Sequence, residues 1–123
     1  MKVLLVEQDR SMRRTLSLLL QELGHIVFQP EETEMTLSFL DAYWPDAIVV
    51  NQYLGETTAP ELCDQITELF GELPPTLIHS SAPEHRFYAL RFKKASFLKS
   101  PFSPDDLQSA LMQMNPAKIS LTG

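Results

Sequence analysis

The chain has 123 residues, of which 44% are hydrophobic and 21% are charged. These values are typical of one globular domain that buries its core without disulfides or metal. The single cysteine, Cys63, excludes an internal disulfide and suits a reducing, cytoplasmic setting. The apolar runs are shorter than the roughly 18 residues of a membrane span, so we expect no membrane contact. The net charge of −6 argues against nucleic-acid binding by this domain alone.

In chain order, the first apolar run, 3–6, is typical of a strand buried on both faces. Apolar residues at helical spacing follow over 12–23, and Gly24 is a natural left-handed helix end. The run 25–28 predicts a second strand. A second helix is predicted over 35–43, and the proline two residues later ends it.

Three further strands are predicted at 47–50, 76–79 and 96–99. The segment Thr58-Ala59-Pro60-Glu61 has the capping-box pattern with proline in the first turn, which predicts a helix that runs to Gly71. A shorter helix is predicted over 84–93. Ser103 is expected to cap the last helix, which ends before Pro116. Five successive strand–helix units predict a doubly wound α/β fold with its chemistry at the carboxyl ends of the strands.

Polar residues occupy these predicted strand ends, and their types and spacing resemble those of a known family. In order they are Glu7-Gln8-Asp9, Asn51, Ser80-Ser81 and Ser100-Pro101. With Pro45-Asp46, Ala82, Phe97 and Phe102 at matching positions, residues 1–115 resemble the receiver domains of bacterial two-component systems. The resemblance implies a single domain with a flavodoxin-like (βα)5 parallel sheet in strand order 2-1-3-4-5. Residues 116–123 are then a tail or the start of a linker.

In that family, two acids after the first strand hold Mg²⁺, an aspartate ending the third strand is phosphorylated, and a hydroxyl and a lysine contact the phosphoryl group. Carried over by position, the site is degenerate. Glu7 matches the first acid, but Gln8 takes the second. Asn51 replaces the phosphorylated aspartate, and an amide cannot form an acyl phosphate. Ser81 matches the hydroxyl, and Ser100 takes the lysine position.

Three residues near these positions have further possible roles. Asp9 is either a displaced metal ligand or phosphate acceptor, or a helix cap, and we favour the cap. Lys99 is expected to point to the opposite sheet face from Ser100, unless a bulge returns it to the site. Phe97 occupies the switch-aromatic position without a hydroxyl.

The histidines are scattered in the sequence and do not predict a metal site. His25 and His85 are expected at the surface or in loops. His79 is expected to be a satisfied packing residue at the end of a buried strand.

These observations predict a pseudo-receiver, which is not an enzyme, needs no cofactor, binds Mg²⁺ weakly or not at all, and signals by protein–protein contact. Its partner surface is implied to be the fourth helix, fifth strand and fifth helix. We call its basic part the basic face: Arg86, Phe87, Leu90, Arg91, Lys93 and Lys94. It would bind an acidic protein or a second copy.

The charge distribution supports such a surface. No Lys or Arg occurs between Arg14 and Arg86, and that stretch holds twelve acids. The two explanations are simple solubility, or two faces of opposite sign that steer a charged partner.

Two other functions remain open at this point. One is an unusual receiver that is still phosphorylated, on Asp9 or after deamidation of Asn51. The other is the input domain of a longer transcription regulator, because Leu121-Thr122-Gly123 faintly resembles the opening of a helix-turn-helix. A small-molecule sensor ranks last, since no glycine-rich phosphate loop follows the first strand.

Overall fold

The computed structural model describes residues 1–114, so the predicted tail and the end of the last helix beyond Met114 lie outside the described residues. The seven strands are β1 Lys2–Val6, β2 Ile26–Phe28, β3 Ala47–Asn51, β4 Tyr53–Leu54, β5 Thr57–Thr58, β6 Thr76–Ser80 and β7 Ala95–Lys99. The α-helices are α1 Arg10–Glu22, α2 Met35–Ala42, α3 Ala59–Phe70, α4 Arg86–Ala89 and α5 Pro104–Met114.

The five long strands form one parallel sheet in the order β2-β1-β3-β6-β7. This is the predicted order 2-1-3-4-5 once the short β4–β5 hairpin, which forms a separate sheet, is set aside. The predicted flavodoxin-like fold is therefore confirmed. Its carboxyl-end edge brings the residues after β1, β3, β6 and β7 together.

Two apolar clusters cover the two faces of the sheet. One contains Leu4, Ile48 and Ile78 with Leu40 and Ile66 from α2 and α3. The other is built on the alternate strand residues, with α1 and α5 supplying its helix side: Val3, Leu5, Val49, Leu77, Leu16, Leu20, Leu107 and Leu111. Because strand side chains alternate, the continuous apolar runs supply both clusters at once.

The predicted helix ends are confirmed where a polar side chain makes the cap. Thr58 Oγ1 accepts from Glu61 N at 3.4 Å, and Gly71 ends α3 with a left-handed φ of 78°. Ser103 Oγ accepts from Asp106 N at 3.0 Å, while Asp106 Oδ2 accepts from Ser103 N at 3.1 Å. Such reciprocal bonds satisfy the free N–H groups of the first turn.

One predicted element was wrong in extent, and one element was missed. The fourth helix does not run over 84–93, because it consists of a 3-10 turn Pro83–His85 and the single α-turn of α4. The hairpin of β4 and β5 was not foreseen, since two-residue strands leave no periodic pattern to read. Within residues 1–114, no helix is long and apolar enough to cross a membrane.

His25 and His85 were expected at the surface or in loops. His25 does lie in the loop between α1 and β2 and His85 in the turn before α4, but both side chains are buried, at 6% and 7% exposure, so the surface alternative was wrong. The Nδ1 atom of His25 lies 3.1 Å from the amino group of Met1, and its Nε2 atom lies 2.8 Å from Gln108 Oε1 on α5. The ring thus joins the start of β1 to α5. A neutral ring that accepts at Nδ1 and donates at Nε2 fits both contacts.

Burial lowers the pKa of His25, and the nearby amino terminus adds to this, although the Gln108 contact opposes it. The unfolded chain then binds more protons than the native state when the pH falls below the usual histidine value of about 6.5. We predict that the free energy of unfolding is highest above that value and decreases as the pH falls through it. Urea denaturation as a function of pH measures this, and His25→Gln should flatten that part of the profile. An unchanged profile in the variant would contradict the prediction.

Candidate functional site

A row of polar side chains crosses the carboxyl ends of four neighbouring strands. Glu7 follows β1, Asn51 ends β3, His79 is the penultimate residue of β6, and Ser100 follows β7. All four side chains lie on the sheet face that α1 and α5 cover. Each of these residues lies two positions beyond a residue of that cluster or beyond one packed against it. The row therefore forms one continuous site.

The central contact joins Asn51 to Glu7. The Asn51 amide Nδ2 donates to Glu7 Oε1 at 3.0 Å and to Oε2 at 3.3 Å, and the Asp9 backbone N–H donates to Oε2 at 3.2 Å. Glu7 is only 3% exposed. A buried carboxylate requires such donors, and here the protein itself supplies them.

His79 is the residue of this row that sequence analysis missed. It is 3% exposed, its Nε2 atom lies 3.5 Å from Glu7 Oε1, and its Nδ1 atom shares a 3.3 Å hydrogen bond with Ser100 Oγ. The Glu7 contact is close enough for an ion pair but lacks hydrogen-bond geometry, since Nε2 has no hydrogen-bond partner. The expectation of a satisfied packing residue was wrong. Its even spacing from Leu77 was the available signal, and it predicts the face of the sheet on which His79 lies but not its neighbours.

Other predicted site residues lie apart from this row. The side chain of Gln8 is directed to Gly55, where a Cβ atom would meet its Oε1 at 2.3 Å. Gly55 has φ of 79°, so this close approach suits glycine alone. Ser81 is exposed just beyond β6. Phe97 is half-buried in β7, and the Arg86 guanidinium lies 5.6 Å from its ring centroid.

Asp9 and Lys99 were the two residues predicted as possible replacements in the site. Asp9 Oδ1 accepts from Met12 N at 2.8 Å, so this side chain caps α1. It also lines a shallow depression of about 400 Å³ that Asn51 shares. Lys99 is exposed and pairs in register with Ser80, one residue before Ser100 along β7. Alternation therefore directs it away from the row.

The residues of this site do not fit the magnesium ion that the resemblance implies. A hard cation takes several oxygen ligands, mostly carboxylates. Glu7 is the one carboxylate in the row, and its oxygens already accept from the Asn51 amide and the Asp9 backbone. Over residues 1–114, no group of three or more His, Cys, Asp or Glu is arranged to hold a metal ion.

A second polar chain begins at the Asn51 side chain. Asn51 Oδ1 accepts from Tyr53 N at 3.1 Å, and the Tyr53 hydroxyl lies 3.0 Å from His85 Nε2. His85 Nδ1 in turn lies 2.6 Å from Ser80 Oγ. This chain connects the end of β3 to the turn that precedes α4, through groups that need no bound ion.

The lone thiol takes no part in this chemistry. Cys63 is 1% exposed on α3, and burial raises its pKa to about 12. A thiol in that state is a packing group, because the nucleophilic form is the thiolate.

The basic face lies at α4 and the turn that follows it. Phe87 and Leu90 are 73% and 72% exposed, the largest apolar exposures among the residues that the structure describes. The cations around them are exposed as well. Arg91 forms an ion pair with Asp64 on α3. Exposed apolar side chains within a charged rim are typical of a protein-binding surface.

Comparison with known proteins places this geometry in a family. The sequence model of the response regulator receiver domain matches residues 3–112. The fold resembles that of Vibrio cholerae chemotaxis protein CheY4, with a TM-score of 0.80 and 22% identity over 92% of this chain and 97% of that one. A putative response regulator from Chloroflexus aurantiacus gives 0.81 and 21%, over 94% and 97% of the two chains. No curated protein sequence matches this chain.

The Asn51–Glu7 contact predicts a specific response to substitution. Asn51→Asp replaces the donor with a second carboxylate beside a buried one, which should lower the free energy of unfolding by roughly 2–4 kcal/mol. Urea denaturation at neutral pH measures this. The matched control is the exchange Glu7→Gln/Asn51→Asp, which reverses donor and acceptor and should recover most of the loss. Equal stability of Asn51→Asp and the parent would contradict the assignment.

Proposed function

The chain belongs to the response regulator receiver domain family of two-component signalling, and we propose that it signals without phosphorylation, by binding a protein partner. One observation carries this proposal. The Asn51 amide donates to both oxygens of Glu7, so the position of the phosphate acceptor and the position of a metal ligand are bonded to each other. Neither is then available for phosphoryl chemistry.

The rest of the row supports the same function. His79 approaches Glu7 from the side of β6 and bonds to Ser100 at the lysine position. In a phosphorylated receiver, Mg²⁺ and lysine would bring positive charge to the carboxylates and the phosphoryl group. Here the amide, the backbone N–H and the imidazole surround a single carboxylate. The site is thereby stabilised in one state without added ions.

This proposal makes the domain a non-enzymatic module with no resident cofactor. Asp9 as an alternative phosphate acceptor has less support, because its carboxylate already accepts from Met12 N as the cap of α1. The output surface in the proposal is the basic face, where exposed Phe87 and Leu90 offer apolar contact. Its cations favour a partner with acidic groups.

The decisive measurement is a ¹H–¹⁵N spectrum titrated first with Mg²⁺ and then with beryllofluoride, a phosphoryl mimic. We predict no saturable shifts at Glu7, Asn51 or Ser81, because the site lacks the acceptor carboxylate and the second acid. Saturable shifts at these residues in the parent protein would overturn the proposal.

The matched control restores the family residues with Gln8→Asp, Asn51→Asp and Ser100→Lys together. The restored variant should respond to both additions if these three positions account for the loss. A folded but silent restored variant would show that the explanation from these positions is wrong.

A further inference from the structure

A broad groove lies on the other side of α3 from the basic face. It is formed by the loop before α2, the β4–β5 hairpin and α3, and has a volume of about 750 Å³. We call it the acidic groove. Four glutamates and several leucines line it, among them Glu31, Glu32, Glu34, Glu56, Leu37 and Leu62. A volume of this size accommodates apolar side chains of a partner.

The carboxylates of the acidic groove form no ion pairs with the residues that the structure describes. All four glutamates are exposed, and none forms an ion pair with another described residue. Arg13 Nη1 donates to the backbone oxygens of Glu31, at 2.9 Å, and of Glu7, at 3.3 Å, and to no carboxylate among the described residues. Among residues 1–114, no Lys or Arg lines the groove itself. Its natural complement is therefore a surface that combines cations with protruding apolar groups.

The same chain carries such a surface. On the basic face, Phe87 and Leu90 protrude with more than two thirds of their area exposed. Lys93 and Lys94 follow within four residues of Leu90 and are exposed. Neither lysine forms an ion pair among residues 1–114. The basic face thus offers apolar groups with uncompensated cations, while the groove offers leucines with uncompensated anions.

We infer that the basic face of one copy docks into the acidic groove of a second copy. This inference rests on the proposed function, in which the basic face is the docking surface, and it names the occupant. The two surfaces lie at different places on the chain, so the contact is heterologous. A docked pair keeps one free groove on one copy and one free basic face on the other, so further copies add head to tail. A symmetric dimer through two basic faces would instead oppose like charges.

The test measures the weight-average mass of the protein by sedimentation or light scattering, over a range of concentrations and without phosphodonor or Mg²⁺. For the parent, the mass should rise beyond that of a dimer as concentration increases. It should decrease with added salt, because exposed ion pairs are screened. A parent that stays monomeric at the highest concentration overturns the inference, and so does one that stops at a dimer.

Two variants separate the surfaces. Phe87→Ser/Leu90→Ser removes the apolar groups of the basic face, and Glu32→Gln/Glu34→Gln/Glu56→Gln neutralises the groove. Each variant alone should be monomeric, and an equal mixture should form a one-to-one dimer and stop there. If the groove variant still dimerises by itself, the contact is symmetric and the inference fails.

Matched controls use exposed residues outside both surfaces. Leu18→Ser/Leu69→Ser removes exposed apolar area, and Glu68→Gln/Glu72→Gln removes exposed charge. Both should assemble like the parent. Loss of assembly in either control would show nonspecific association and overturn the inference. Because assembly is measured without phosphoryl mimics, its failure is distinguishable from failure of the proposed function, which the titration tests.

Discussion

The hydrogen bonds from the Asn51 amide to the Glu7 carboxylate determine what the carboxyl edge of this sheet can do. Glu7 is buried, and a buried anion destabilises a fold unless nearby donors compensate it. A cluster of carboxylates at this place would repel one another and require a bound cation. One carboxylate beside one amide does not, because the amide supplies the donor directly. In the proposed function, the residue at the position of the phosphate acceptor is thus also the residue that donates to the buried carboxylate.

The contact depends on the scaffold around it. Parallel pairing sets β1 beside β3, with Val6 in register with Val50, so the next residues, Glu7 and Asn51, are neighbours. Pairing of β3 with β6 sets Asn51 opposite His79. The apolar clusters on both faces hold this register, because a slip by one residue would exchange the two faces of every strand. The polar row is therefore a consequence of how the core is packed.

A hydrogen-bonded chain connects the polar row to the surface. The polar chain from Asn51 through Tyr53 to His85 ends beside α4, where the exposed apolar groups of the basic face lie. Its contacts all join one protein group to another, so the chain forms without a phosphoryl group. On the other side of α3, the glutamates of the acidic groove form a field of opposite sign. A domain with both surfaces can associate in a defined direction, because each surface repels its own kind.

Local patterns in the sequence were enough to predict the strands, the helix caps and the polar residues at the strand ends, as with the apolar run 3–6, the Thr58 cap and Asn51. The strand order was predicted from the resemblance to receiver domains, because no local pattern states which strands pair. The extent of α4, the β4–β5 hairpin and the burial of His25 and His85 were decided only by tertiary structure. The same is true of His79, whose sequence neighbourhood is that of an ordinary buried strand. Its role arises because β6 lies between β3 and β7, which sets the ring between Glu7 and Ser100. Contacts between distant strands depend on register and packing, and no local pattern contains that information.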